Sequence, residues 1–180
     1  MEYKKEDSFV LFFEFLRFCL KEDAKVPANL AEMDWDALYK FGKKQAILGV
    51  LFHGIKKLSE SPYRPNKEQI FKWYGAYSYI EQSNKQTYKD ADALTTLLRE
   101  KYGVRSCVLK GQTNALMYPD PYMRTSGDID LWTDAKTLDI IRISRELDSK
   151  GEIGYHHIEL SYFKTPVEVH FFPSFMGNLW

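Results

Sequence analysis

The run Arg124-Thr125-Ser126-Gly127-Asp128-Ile129-Asp130-Leu131-Trp132 sets two carboxylates two positions apart. In an extended strand, side chains alternate between faces, so Asp128 and Asp130 share one face and Ile129 and Leu131 the other. Like charges placed this way repel unless cations or hydrogen bonds offset them. A later run repeats the pattern: Val167, Val169 and Phe171 alternate with Glu168 and His170. If the two runs pair in matching register, Glu168 joins the aspartates. Three converging carboxylates form a hard-oxygen site suited to Mg²⁺, which completes its shell with water and substrate phosphates. The chemistry such a site serves is phosphoryl or nucleotidyl transfer, where two metal ions about 3.5–4 Å apart activate the attacking oxygen and stabilise the leaving group. Lys110, as a point charge, and Arg124, as a bidentate fork, are available for phosphate. Gly111, at the mouth of a helix, lets backbone N–H groups approach one.

Each of these residues also has a plainer reading. The aspartates fit a solvated strand face or a helix cap, Glu168 a cross-strand ion pair, Lys110 a solvated strand end, and Arg124 a structural ion pair with one aspartate. Gly127, the apolar alternation and the Glu168 run tip the balance toward the metal site. His170 shares the face of Glu168 and is expected to hydrogen-bond behind the ligands rather than serve as one. His156 and His157 are adjacent, and adjacent strand residues face opposite ways, so they are not expected to share one metal ion. One of the two is expected near the site and the other at the surface or in the core.

These side chains must be held by elements, and the first hundred residues read as helical. A helix is expected over Lys5 to Lys21 and a second from an Asp34 cap toward Leu58, with Gly42, Gly49 and Gly54 interrupting it. Ser61-Pro62-Tyr63-Arg64-Pro65 is the clearest linker. Asn66 with Gln69 three residues on is a capping-box signature for a long third helix that Gly103 stops. Trp73, Tyr74, Tyr77 and Tyr88 on that helix read as packing. Beyond Gly103 the period changes. Val104 to Leu109 reads as a strand feeding a short helix, Gln112 to Tyr118. Asp128 to Trp132 is a strand followed by a helix that Asp134 can cap, and Gly154 to Phe163 and Val167 to Phe172 are strands joined by a turn at Lys164-Thr165-Pro166. The expected fold class is α+β: a helical N-terminal region, 1–103, then a small mixed core, 104–180, with flanking helices.

The 180 residues suffice for one compact unit in two parts. With 44% hydrophobic residues and 25 basic against 25 acidic, the composition is that of an ordinary globular chain, without the basic excess of a protein that coats nucleic acid. The apolar run Phe9 to Leu20 is interrupted by Glu14 and Arg17 and is too short for a bilayer, so no membrane association is expected. Cys19 and Cys107 sit in apolar runs without partners at metal-ligand spacing, and a reducing, cytoplasmic setting is the simplest reading.

Taken in order, Val108-Leu109-Lys110-Gly111, Tyr118-Pro119-Asp120-Pro121, Arg124, Asp128-Ile129-Asp130-Leu131 and Val167-Glu168-Val169-His170-Phe171 resemble the polymerase-beta-like nucleotidyltransferase superfamily, and more closely its uncharacterised nucleotidyltransferase branch. The resemblance implies that Asp128 and Asp130 hold the paired metal-ligand positions and that Glu168 is the third carboxylate, acting as ligand or as base for the acceptor hydroxyl. It implies Mg²⁺ or Mn²⁺ as cofactor and an NTP as substrate, with Lys110, Gly111 and Arg124 on the nucleotide. The acceptor hydroxyl, from a small molecule, sugar, RNA or protein, is not readable. Gln112 stands where the superfamily has a small residue after its glycine, and fifteen residues separate it from Asp128, more than the superfamily's usual spacing. Relatives of this type continue into a further helical part, so the end at Trp180 leads us to expect a short relative, a fragment or an enzyme without an acceptor-binding lobe. The alternative expectation is a catalytically inactive nucleotide-sensing or protein-interaction module of the same fold.

Overall fold

Local sequence signals place most of the helix boundaries. The computed structural model describes residues 3–171, with side chains from residue 9 onward. Helix α1 runs Tyr3–Leu20, α2 Trp35–Lys44, α3 Leu48–Lys57 and α4 Lys67–Tyr102. Asp34 caps α2 by accepting from the N–H groups of Asp36 and Ala37 at 3.1 and 2.9 Å. Asn66 and Gln69 exchange hydrogen bonds, Gln69 N–H donating to Asn66 Oδ1 at 2.9 Å and Asn66 N–H to Gln69 Oε1 at 3.1 Å, so the expected capping box is formed. At the far end of α4, Gly103 adopts φ +65 and its N–H donates to the Arg99 carbonyl, the helix stop that a glycine makes cheaply. The expected single helix from Asp34 to Leu58 is instead two. Gln45, Ala46 and Ile47 break it, with Ala46 at φ 57, and the glycines lie within the helices rather than at the break.

The chain divides into two compact units, 1–84 with 115–125, and 85–114 with 126–180. In the first, α1, α2, α3 and the early turns of α4 enclose a core of Phe15, Leu38, Leu51, Leu58 and Trp73, each at most 2% exposed. Gly49 fits closely here, since a Cβ at that position would lie 2.0 Å from the Met123 carbonyl oxygen. Of the aromatic stripe, Trp73 and Tyr77 are buried in this core and Tyr74 is exposed. No helix among the described residues is long and apolar enough to cross a membrane.

The second unit holds a four-stranded sheet in the order β1-β2-β4-β3, with β1 Ser106–Val108, β2 Ile129–Thr133, β3 His157–Leu160 and β4 Val167–His170. β2 and β4 are parallel, and both outer strands run antiparallel to their neighbours, so the sheet is mixed and the fold α+β. One face is apolar: Ile129, Leu131, Ile158, Leu160, Val167 and Val169 are at most 2% exposed and pack with Leu94 and Leu98 of α4 and Ile140 of α6, Thr137–Leu147. The short helix α5, Lys110–Ala115, follows β1 and bends at Gly111. Asp134 does not cap α6. Its carboxylate accepts from the Arg105 N–H and Nε at 2.9 and 2.8 Å, leaving the helix to start at Thr137 with no side-chain cap from Lys136. Phe172, expected to end the last strand, lies outside the described residues.

Candidate functional site

The alternation that buries one face of the sheet determines what the other face carries. Register pairs Asp130 with Glu168, Glu168 with Glu159, Trp132 with His170, and His170 with His157. All of these residues therefore project from the face opposite the apolar core.

Asp130 is the centre of the group. Its Oδ1 accepts from Lys110 Nζ at 3.0 Å and faces His170 Nε2 at 2.9 Å. Burial pushes this carboxyl up, but the hydrogen bonds and charges of Lys110 and His170 outweigh burial and hold it below the ordinary carboxylate range. Glu168 Oε2 lies 3.6 Å from His170 Nε2 and 3.7 Å from His157 Nδ1. One donor atom each of Asp130, Glu168 and His170 falls within 4.8 Å of the others, a geometry able to hold a metal ion. His170, expected behind the ligands, thus stands among the potential donors.

The backbone brings these groups together. Leu109 N–H donates to the Asp130 carbonyl at 2.8 Å, extending the β1–β2 ladder by one residue and setting Lys110 beside Asp130. Lys110 itself has φ 28, rare for a side-chain-bearing residue. At the other end, Ile129 N–H donates to the Pro166 carbonyl at 2.9 Å. Thr165, the preceding residue, is anchored through its N–H and Oγ1, both donating at 2.9 Å to the buried Asp90 carboxylate of α4. That anchorage sets where β4 begins.

Asp128 lies just before β2 and is half-buried, and it is in neither metal-competent group among the described residues. Sequence reading gave Gln112 no role. Its Nε2 donates to the Asp128 carbonyl and to Ser126 Oγ, both at 3.3 Å, tying the start of α5 to the segment entering β2. Its Oε1 is buried without a partner among the described residues. Gly111 is buried at the bend. Arg124 belongs to the first unit, where its carbonyl accepts from Asn84 Nδ2 at 2.5 Å, whereas the carboxylates belong to the second.

The histidine pair departs from expectation. His156, His157 and His170 bring one ring nitrogen each within 4.8 Å of one another. Strand alternation does not separate the adjacent pair because β3 begins only at His157, and His156 sits in the bend before it.

A mixed sheet with carboxylates and a lysine gathered on its polar face defines a class of site built for cations and phosphate groups. The model of the uncharacterised nucleotidyltransferase family matches residues 31–173, and the chain belongs to that family. The match covers the motifs at 108–171 that carry the resemblance and extends into the helical region. Nucleotidyl transfer is the general role this domain supports. Comparison with curated proteins and with solved structures gave no match.

Proposed function

We propose that the chain is a Mg²⁺-dependent nucleotidyltransferase that moves a nucleoside monophosphate from an NTP to a hydroxyl acceptor in the cytoplasm. The observation that supports this most is the register pairing of Asp130 with Glu168, with His170 completing a donor group within 4.8 Å. Two carboxylates suit Mg²⁺, which keeps water and phosphate oxygens in its remaining positions, with His170 bonded to Asp130 behind them, so the donor chemistry fits the family's general use of a divalent metal and an NTP. Asp130 and Glu168 would hold the ion, with Asp128 entering from the segment just before β2. When bound, the ion would neutralise the charge that develops on the phosphate oxygens.

The protein's own groups account for the rest. The acceptor oxygen attacks the α-phosphorus, the bond to the β-phosphate oxygen breaks, and pyrophosphate leaves with that electron pair. Glu168, about a third exposed, is the carboxylate assigned to take the acceptor's proton. Lys110 is exposed over much of its length and can meet phosphate charge without leaving the vicinity of Asp130. His170, nearly fully buried, keeps Asp130 oriented. Gly111 offers backbone at the start of α5. Calorimetric titration of NTP with Mg²⁺ against wild type and Asp130→Asn tests the site. Metal-dependent binding is expected in the first and lost in the second, and binding that survives the substitution would sink the proposal.

A second reading, an inactive nucleotide-sensing or protein-interaction module, draws support from Gln112 in place of a small residue and from Asp128 standing outside the donor group. It requires Asp130-dependent nucleotide binding without pyrophosphate release across sugar, small-molecule, RNA and protein acceptors.

A further inference from the structure

The sheet face carries more imidazole than nucleotidyl transfer uses. Of the four histidines in the chain, three converge at one end of the β3–β4 pair. His156 Nε2 and His157 Nδ1 are 3.2 Å apart. Around a tetrahedral Zn²⁺ with Zn–N bonds of about 2.0–2.1 Å, neighbouring nitrogens lie about 3.3–3.4 Å apart. The ring of His170 lies 5.2 Å from that of His156 and 5.6 Å from that of His157, centroid to centroid. Glu168 Oε2 lies 3.7 Å from His157 Nδ1 but groups with Asp130 and His170 rather than with the three histidines, which leaves the remaining position of such an ion to water.

A single N–H···N hydrogen bond would account for His156 and His157 facing each other, and the contact with Asp130 for the placement of His170 Nε2, but neither requires the three rings to converge. The backbone also makes room for the group. Gly154 N–H donates to the His157 carbonyl at 2.8 Å, and a Cβ on Gly154 would sit 3.2 Å from His157 Nε2, pressing on the ring from behind. Phe171 N–H donates to the His156 carbonyl at 3.1 Å, holding the bend that turns His156 toward its neighbours.

We propose that His156, His157 and His170 form a site for one borderline divalent transition-metal ion of the Zn²⁺ class, beside the carboxylate group. Neutral imidazole favours Zn²⁺, Co²⁺, Ni²⁺ and Cu²⁺, whereas Mg²⁺ favours oxygen, so the two donor sets differ in the ion they select even though they share His170. This inference does not depend on nucleotidyl transfer.

Co²⁺ is the probe, added alone to the full chain. One equivalent is expected to bind, with the visible absorption of a low-coordinate site that includes imidazole, and His156→Gln and His157→Gln should each weaken it at least about tenfold. In ring-proton NMR of wild type with Zn²⁺, His156, His157 and His170 should shift while His53 does not, a readout that needs no variant to fold. Absence of saturable binding, binding that neither variant weakens, or shifts that spare His156 and His157 would overturn the site. Asp130→Asn separates the two hypotheses: Co²⁺ binding that persists while Mg²⁺–NTP binding is lost supports both. Failure of Co²⁺ to bind a wild-type chain that still binds Mg²⁺–NTP removes this inference alone.

Discussion

His170 Nε2 lies 2.9 Å from Asp130 Oδ1 although the register pairs His170 with Trp132. The contact is therefore a diagonal one across parallel strands, within reach of a long side chain on the shared face. It couples the titration of Asp130 to the position of β4, and Lys110 adds a second partner from the end of β1.

Acid should remove the contribution of Asp130 to stability. Its pKa is lower folded than the roughly 3.9 of an unfolded chain, so the stabilisation is complete above that value and lost as pH falls through the folded pKa. In EDTA, urea midpoints of wild type and Asp130→Asn should differ by a constant amount near neutrality, and the difference should shrink below about pH 4.

Lys110→Ala should cost little stability and much function. The lysine is 65% exposed, so its ion pair with Asp130 is worth under about 1 kcal/mol in urea unfolding. The Asp130 carboxyl should titrate at higher pH in carbon-detected NMR, because a main lowering partner is gone, and Mg²⁺–NTP affinity should fall by about tenfold or more.

Asp90→Ala should destabilise the second unit by about 3 kcal/mol, because the N–H and hydroxyl of Thr165 and the amide of Gln86 lose a buried acceptor. Since Thr165 precedes β4 by two residues, loss of that anchorage should also weaken Mg²⁺–NTP binding. Calorimetry at a temperature where the variant is folded checks this.

Two glycines in the first unit should respond with opposite sign. Gly49→Ala drives a methyl group into the Met123 backbone and should cost about 3 kcal/mol. Gly75, in α4, has open space around its Cβ position, and Gly75→Ala should stabilise by about 0.5–1 kcal/mol. Thermal unfolding of both variants reads the contrast.

Much of the local structure is legible in the residues. The Asp34 cap, the Asn66–Gln69 box and the Gly103 stop act over three or four positions, and each formed as its chemistry requires. The break at Ala46 carries no such signal. Its left-handed backbone follows from packing α2 and α3 into one core, and the more obvious glycines went to close contacts instead. Asp134 had the right type and position for a cap, but Arg105, just before β1, offers both its N–H and its Nε across the β1–β2 pair.

At the site, alternation by itself determined that Asp130, Glu168 and His170 lie on polar faces, because burying Ile129, Leu131, Val167 and Val169 leaves their neighbours no other side. What the tertiary structure decided is which polar groups meet. The parallel β2–β4 register set Asp130 against Glu168, the start of β2 at Ile129 left Asp128 outside that alternation, and the start of β3 at His157 released His156 to turn toward its neighbour. A period of two is a local property of extended backbone, whereas register and strand ends depend on pairing between segments distant in the chain.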